Sequence, residues 1–366
     1  MNSPPPPHRL DALTGIRGLA AWAVVLYHVR LSLLNLFPTG AIAILAKGYL
    51  AVDLFFMLSG FVIWHNYAAR IATGGWAAAR DFLWRRLARV WPLHGAILAA
   101  FGLFVAALIV TGRPTDGYPL GELPLHVLLL QNWGFTSQLS WNHPAWSIST
   151  EFAAYLMFPV LVLAARWERL STAQLLLIAA VIAGMLYAAF RIAGFGGLGG
   201  DITHLGLWRC LGSFSMGCLL CQVWQRWLGV RWAGYAAAAV AAAIALLAVA
   251  LHVPETLFVP AAFFAGLLAL ALARGAVALI IGGRVLTYLG EISYSTYLCH
   301  FLLFILYKIA FVDASLQLNW AGLAGYLSLV LAASIGLYHG LEKPAQRWLN
   351  AHAPTWRARM SQQLVD

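Results

Sequence analysis

The chain contains 366 residues, of which 62% are hydrophobic and only 10% are charged, and its net charge at pH 7 is +10. Soluble domains typically carry about 25% charged residues, so this composition excludes an ordinary soluble protein. Apolar stretches of about 20 residues recur along the chain, and each is long enough to cross a bilayer. The sequence therefore predicts an all-α polytopic membrane protein, whose positive charge reflects basic loops beside anionic lipid headgroups rather than binding to nucleic acid.

Ten apolar segments follow one another along the chain. We predict a disordered leader over residues 1–8, a single membrane domain over 9–349 and a cytoplasmic tail over 350–366. The predicted membrane-spanning helices lie at 16–36, 50–68, 92–110, 146–165, 172–190, 205–224, 232–251, 257–279, 286–311 and 320–340.

The distribution of lysine and arginine predicts the orientation of this bundle. With a cytoplasmic N-terminus and ten spans, 17 of the 23 basic residues face the cytoplasm. Cytoplasmic loops carry such an excess of Lys and Arg, so both termini are expected to be cytoplasmic. Residues 69–91 are then a basic, amphipathic cytoplasmic segment that lies in the membrane interface, and residues 111–145 are a long external loop.

The first span contains two ionisable residues, Arg17 and His28. Eleven residues leave about 20° of offset around a helix, so both side chains share one face, roughly 16 Å apart. An ionisable group within a membrane is a functional hypothesis, although a snorkelling arginine and a histidine that packs helices together are the alternatives.

Two carboxylates accompany them at the external ends of later spans. Asp53 opens the second span, and a short loop connects it to the end of the first, so we expect it to pair with His28 and fix the tautomer of the imidazole. Its alternative role is a helix cap. Glu151 lies just inside the fourth span, where it would orient His28, bind an acceptor hydroxyl or carry a proton.

Further polar residues stand at the cytoplasmic ends of the third and ninth spans. In "RRLARVWP", Arg86 and Arg89 are one helical turn apart, and paired guanidinium groups at a membrane surface suit phosphate or pyrophosphate. Binding to lipid headgroups is the alternative. In "ISYSTYLCHFLLF", Tyr294 and His300 share a helix face, and His300 is a second acid/base candidate. No metal site is predicted, since the Cys-x-x-Cys at 218–221 lies in an apolar helix without further ligands.

These segments, in this order, resemble the acyltransferase-3 family of integral-membrane acyltransferases, which includes enzymes that acylate O-antigen and exopolysaccharide. The resemblance extends from residue 10 to about 349 and rests on six stretches: "LDALTGIRGLAAWAVVLYHV", "VDLFFMLSGFVI", "FLWRRLARVWP", "WSISTEFAAYLMFP", "ISYSTYLCHFLLF" and "LEKPAQRWL". The Arg-x10-His and Arg-x-x-Arg patterns of the family fall on Arg17 with His28 and on Arg86 with Arg89. Mild departures occur at Thr14, Ile16 and Thr150.

The resemblance implies transfer of an acyl group, acetyl being the simplest, from cytoplasmic acyl-CoA to a carbohydrate or lipid-linked glycan in the inner membrane of a bacterium. The CoA phosphates would bind Arg86 and Arg89, with Arg85 and Arg17 nearby. His28 would act as general base or form an acyl-histidine, and Asp53 or Glu151 would stabilise its cation.

An acceptor that approaches from outside would meet Trp133, Trp141, Trp146 and Ser147. No bound cofactor is expected beyond the acyl-CoA substrate. The competing hypothesis is a proton-coupled transporter that uses His28, Asp53 and Glu151 as a relay.

Overall fold

The computed structural model describes residues 10–354, so the predicted leader and all but the first five residues of the predicted tail lie outside it. The described residues form helices that are joined by loops, and no strand occurs between residues 10 and 354. Its helices are α1 (Asp11–Val29), α2 (Thr39–Leu45), α3 (Ala51–Val110), α4 (Leu123–Val127), α5 (Trp146–Ala164), α6 (Thr172–Ile192), α7 (Ile202–Trp227), α8 (Ala233–Ala250), α9 (Glu255–Ala271), α10 (Ala276–Ile281), α11 (Arg284–Glu291), α12 (Ser293–Phe311), α13 (Trp320–Leu337) and α14 (Lys343–Ala351).

Seven helical stretches within residues 10–354 are long and apolar enough to cross a membrane. One of them contains α3, whose 60 residues would extend for about 90 Å, roughly twice the thickness of a bilayer. The helix breaks at Gly75, where φ is 55° and ψ is −143°, a conformation that glycine adopts readily. The second and third predicted spans therefore belong to one interrupted helix, and the count of ten and the orientation stay predictions.

Two predicted spans and one predicted loop differ from the structure. The ninth predicted span is two helices, because α11 ends at Glu291 and α12 begins at Ser293. The eighth predicted span ends earlier than expected, at Ala271. The segment 69–91 is not a separate connector, since apart from the break at Gly75 it is helix and continues α3.

Two close helix crossings, both made by glycines, bring the polar residues together. At Gly60 of α3 and Gly217 of α7, a Cβ would approach a backbone oxygen of the opposite helix to 2.0 Å, so neither position accommodates a side chain. At Gly290 of α11, a Cβ would lie 1.8 Å from Thr14 O of α1. The first crossing places α3 against α7, and the second holds α1, which carries Arg17 and His28, beside α11 and α12.

Candidate active site

A cavity of about 900 Å³ lies between α1, α3, α5 and α12. Its polar lining includes Arg17, Ser59, Arg86, Arg89, Ser147, Glu151, Tyr155, Ser293, Tyr294 and Tyr297. We call it the arginine cavity. Three of the predicted donor-binding arginines and one predicted carboxylate, which are far apart in the sequence, therefore meet at one site.

The three arginines of this cavity differ in their partners. Arg89 forms an ion pair with the buried carboxylate of Glu342, which also accepts a hydrogen bond from Ser295 Oγ at 2.6 Å. Arg86 donates from Nη2 to Tyr67 OH at 3.0 Å, and its buried Nε has no partner. Arg17 donates to Ser293 Oγ at 3.5 Å. Among the described residues, no carboxylate lies within ion-pair distance of Arg17 or Arg86, so the cavity retains positive charge that an anionic ligand would neutralise.

Arg85 has a different environment from its neighbours. Its Nε donates to Asp81 Oδ2 at 2.8 Å, one helical turn earlier on α3. Its side chain is not among those that line the arginine cavity. The expectation that Arg85 joins the arginine cluster is therefore wrong for this conformation. Successive residues of a helix point about 100° apart, so of the two neighbours Arg85 and Arg86 only Arg86 faces the cavity.

His28 contacts His300, a pairing that links the two candidate acid/base residues. Nε2 of His300 lies 3.1 Å from Nδ1 of His28. Nδ1 of His28 also lies 2.9 Å from Val24 O, and Nδ1 of His300 lies 3.2 Å from Thr296 O. A carbonyl oxygen only accepts, so each Nδ1 carries its hydrogen and Nε2 of His300 accepts from His28. The second nitrogen of His28, Nε2, is left with a free lone pair.

Asp53 does not contact His28. Both of its oxygens bind Arg209 of α7, with Nε–Oδ1 at 2.7 Å and Nη2–Oδ2 at 2.6 Å. Arg209 also donates to the backbone oxygens of Leu198 and Tyr49, and only 1% of either charged residue is exposed. The predicted pairing of Asp53 with His28 is wrong, since a buried carboxylate forms stronger, bidentate bonds with a permanently charged guanidinium than with an imidazole.

Glu151 lies in the arginine cavity and makes no hydrogen bond to His28. Between this cavity and the histidine pair stands Tyr297, whose hydroxyl donates to Pro144 O at 3.0 Å and lies 2.8 Å from Ser147 Oγ. The ring of Tyr297 is 6.1 Å from that of His300. The expectation that a carboxylate orients His28 is thus not met in this conformation, and Tyr297 separates the cavity from the base.

The tryptophans expected on the acceptor side are mostly inside the protein. Only 1% of Trp141 is exposed, and its Nε1 donates to Pro119 O within the 111–145 loop. Trp133 donates to Ser149 O at 3.0 Å. Trp146 packs on Phe56 and lies under the guanidinium of Arg209 at 5.4 Å. The prediction that Trp141 offers a face to an acceptor is wrong, because folding of the loop buries that ring. Ser147 lines the arginine cavity rather than the 111–145 side.

Sequence reasoning missed Arg209 and Phe301. Arg209 lies within the apolar part of α7, far from Arg226 at the helix end, and an arginine in that position predicts a buried acidic partner. Phe301, whose ring meets that of His28 edge-on, carries no such signal, because aromatic residues are ordinary packing residues in membrane helices.

The helical bundle with a basic cavity beside a buried imidazole defines an integral-membrane protein with a candidate group-transfer site. Residues 10–339 match the family model described as "Acyltransferase domain". The chain therefore belongs to the acyltransferase-3 family of membrane acyltransferases. No solved structure matches it.

Several curated relatives are similar over part of the chain. Acyltransferase MdmB of Streptomyces mycarofaciens is 34% identical over 46% of this chain and 41% of its own length. Protein 2 in picA locus of Rhizobium radiobacter is 35% identical over 50% of this chain and 96% of its own. Putative peptidoglycan O-acetyltransferase YrhL of Bacillus subtilis is 25% identical over 59% of this chain and 34% of its own. The chain thus spans less than half of two of these relatives.

Proposed function

We propose that this protein transfers an acyl group, acetyl in the simplest case, from cytoplasmic acyl-CoA to a hydroxyl of a carbohydrate or lipid-linked glycan at the inner membrane of a bacterium. The observation that carries the proposal is the arginine cavity, in which Arg17 and Arg86 lack carboxylate partners, together with the imidazole of His28, which has a free Nε2 and is linked to the cavity wall through His300 and Tyr297. Relatives that are named O-acetyltransferases support the reaction class.

The donor end of the reaction follows from the charges. Guanidinium groups bind phosphate oxygens by charge-assisted, often bidentate hydrogen bonds, so Arg86 and Arg17 are suited to the phosphates of CoA. Arg89 is ion-paired with Glu342, so it contributes to the electrostatic potential of the cavity rather than a free guanidinium group. The lining of α3 between Val52 and Ile63 extends for about 16 Å, a path for the thioester arm towards Tyr297.

The chemical step uses the free nitrogen of His28. Nε2 accepts the proton of the acceptor hydroxyl while the oxygen of that hydroxyl attacks the thioester carbonyl carbon. The C–S bond then breaks, and the thiolate leaves as CoA after it takes the proton from His28. The Nδ1–H, shared between Val24 O and Nε2 of His300, holds the imidazole in the required tautomer, and general-base catalysis of this kind contributes about 10²–10⁴-fold to the rate. Tyr297 must move aside for the thioester to reach His28.

The test uses purified protein in nanodiscs with radiolabelled acetyl-CoA, and measures binding and release of CoA with and without a crude glycan extract. We expect the wild type to bind and to transfer, His28→Ala to bind without transfer, and Arg86→Ala/Arg89→Ala to lose binding. Arg85→Ala is the matched control, because this arginine is ion-paired outside the cavity, and it should behave as the wild type.

A wild type that binds no acyl-CoA from acetyl to palmitoyl would contradict the proposal. A proton-coupled transporter would then be the next candidate. Against that reading, the proposed relay residues are not in contact, since Asp53 is bonded to Arg209 and Glu151 lies in the arginine cavity.

A further inference from the structure

A second, smaller cavity of about 200 Å³ lies where the 111–145 loop meets the start of α5. We call it the amide cavity, and its polar lining includes His126, Gln131, Asn142 and His143. Pockets that enclose a whole small ligand usually measure about 300–1,000 Å³. The enclosed part of the amide cavity admits one group of about the size of a water molecule, so only one end of a ligand can enter it.

Three residues that line the amide cavity each keep one buried polar atom without a partner. These atoms are Nδ1 of His126, Oε1 of Gln131 and Oδ1 of Asn142. Each residue is at most 5% exposed. A buried polar group that lacks a hydrogen bond costs about 1–3 kcal/mol, so three around one small cavity indicate a missing occupant.

All three unpartnered atoms are acceptors. The amide nitrogens are already used, since Gln131 Nε2 donates to Ala145 O at 3.2 Å and Asn142 Nδ2 donates to Leu298 O at 3.1 Å. The hydroxyl of Ser140 donates to Glu122, so its oxygen can only accept from Nε2–H of His126, 3.0 Å away. Nδ1 of His126 therefore carries a lone pair, and the occupant must supply hydrogens.

The occupant is neutral rather than cationic or anionic. Three acceptors repel a phosphate or carboxylate, and no acidic residue lines the cavity within residues 10–354. Burial, with a smaller contribution from His94 and His143, lowers the pKa of His126 to about 4, so the surroundings also disfavour positive charge. The hydroxyl end of a carbohydrate, alone or on a hydroxymethyl group, is a neutral donor of about this size, and water is the other candidate.

The amide cavity adjoins the catalytic histidine. His143 lines it, and its ring stacks on Phe301 at 5.0 Å, while Phe301 meets the ring of His28 edge-on at 5.5 Å. Trp146 also lines the amide cavity, whereas the next residue, Ser147, lines the arginine cavity. The start of α5 thus separates the two cavities. His28 is linked to the arginine cavity through His300 and Tyr297, and to the amide cavity through Phe301 and His143.

We propose that the amide cavity binds a non-reacting hydroxyl or hydroxymethyl group of the carbohydrate acceptor and so directs another hydroxyl towards His28. The proposal rests on the proposed acyl transfer and adds to it the site that recognises the acceptor. A site built to hydrogen-bond a hydroxyl discriminates strongly against ligands without one, because its buried acceptors are then left unpaired.

The test compares Gln131→Met and Asn142→Leu with the wild type, with radiolabelled acetyl-CoA as donor and the crude glycan extract as acceptor. We expect the extract concentration at half-saturation to rise at least about tenfold, which corresponds to the loss of one hydrogen bond of about 1.4 kcal/mol, with acetyl-CoA binding unchanged. Gln317→Met is the matched control, because Gln317 also donates to a backbone oxygen and has a free Oε1, but lies outside the cavity.

The outcomes separate the two proposals. Variants that saturate with extract like the wild type would show that the amide cavity holds water only, and the inference would be overturned. A wild type that does not bind acetyl-CoA overturns the proposed function itself, and the inference with it. A variant that loses acetyl-CoA binding is misfolded. The inference is then tested by competition between simple glycosides and the extract in the wild type. Methyl glucoside should compete with the extract, whereas fully O-methylated glucoside should not, and failure of methyl glucoside to compete refutes the hydroxyl site.

Discussion

Removing one partner of the Asp53–Arg209 pair is expected to destabilise the protein more than any exposed charge change. Both residues are 1% exposed and share two hydrogen bonds. Asp53→Asn leaves the guanidinium buried without its countercharge, because the neutral amide offers one acceptor oxygen beside the carbonyl oxygens of Leu198 and Tyr49. Two charges about 4 Å apart at an effective dielectric constant near 20 interact by about 4 kcal/mol. Breaking a buried pair typically costs about 3–5 kcal/mol, in agreement with that value.

The assay is a double-mutant cycle with Asp53→Asn, Arg209→Gln and the double variant, measured as thermal unfolding of the solubilised protein. One kcal/mol shifts the midpoint by about 2–4 °C in domains of 150–250 residues and by less in longer chains, so each single variant should lose on the order of 5–10 °C. The double variant should lose less than the sum, because neither charge is then left alone.

The control is Lys47→Met. Lys47 also forms an ion pair, with Glu255 at 2.6 Å, but its side chain is 61% exposed. Glu255 is buried but keeps hydrogen bonds from Tyr49 and Leu198, and solvent screens the exposed ammonium of Lys47, so the midpoint should fall by no more than a few degrees. Strictly additive losses, or single variants that match Lys47→Met, would refute the reasoning that burial makes the Asp53–Arg209 pair structurally important.

Two further predictions concern histidines. His300→Leu should lower acyl transfer by about 10–100-fold with unchanged acetyl-CoA binding, because the Nδ1–H of His28 then keeps only Val24 O as acceptor and the ring loses its contact with His300. His300→Gln should restore part of the rate through its amide oxygen, and equal rates in both variants would argue against a role of His300 in orienting His28. The pKa of His126 is lowered from 6.5 to about 4, so between these values the unfolded chain takes up a proton that the folded chain does not, and stability is lost as pH falls. At pH 5 the loss in the free energy of unfolding is about 2 kcal/mol. The unfolding midpoint of the wild type should therefore fall more between pH 7 and pH 5 than that of His126→Asn. Equal falls in the two proteins would contradict the lowered pKa of His126.

The helix periodicity predicted part of the site correctly from local geometry alone. Arg86 faces the arginine cavity together with Arg89, as residues one turn apart should. Arg17 and His28 point along one face of α1, so that Arg17 lines the cavity and His28 reaches the histidine of α12. These relationships depend only on the rotation of about 100° per residue around the axis of one helix, so they can be read from the sequence.

Partner choice between helices was beyond the sequence. The sequence favours a pairing of Asp53 with His28 because their helix ends are close along the chain, yet Arg209, 156 residues later, forms the pair. The Gly60–Gly217 crossing decides this, since only the absence of side chains lets α7 approach α3 closely enough. Likewise, a tryptophan in a predicted external loop, such as Trp141, is typical of an exposed recognition residue, and only the fold of the 111–145 loop buries it.

The sequence by itself determined the class of protein, because membrane insertion depends on summed hydrophobicity and each helix depends on its own periodicity. It also determined the family, through motifs that extend along nearly the whole chain. The tertiary structure alone decided which charges are neutralised, which nitrogen of His28 is free and where two cavities lie. Those properties arise from contacts between helices, whose free energies depend on distances and burial that no single segment encodes.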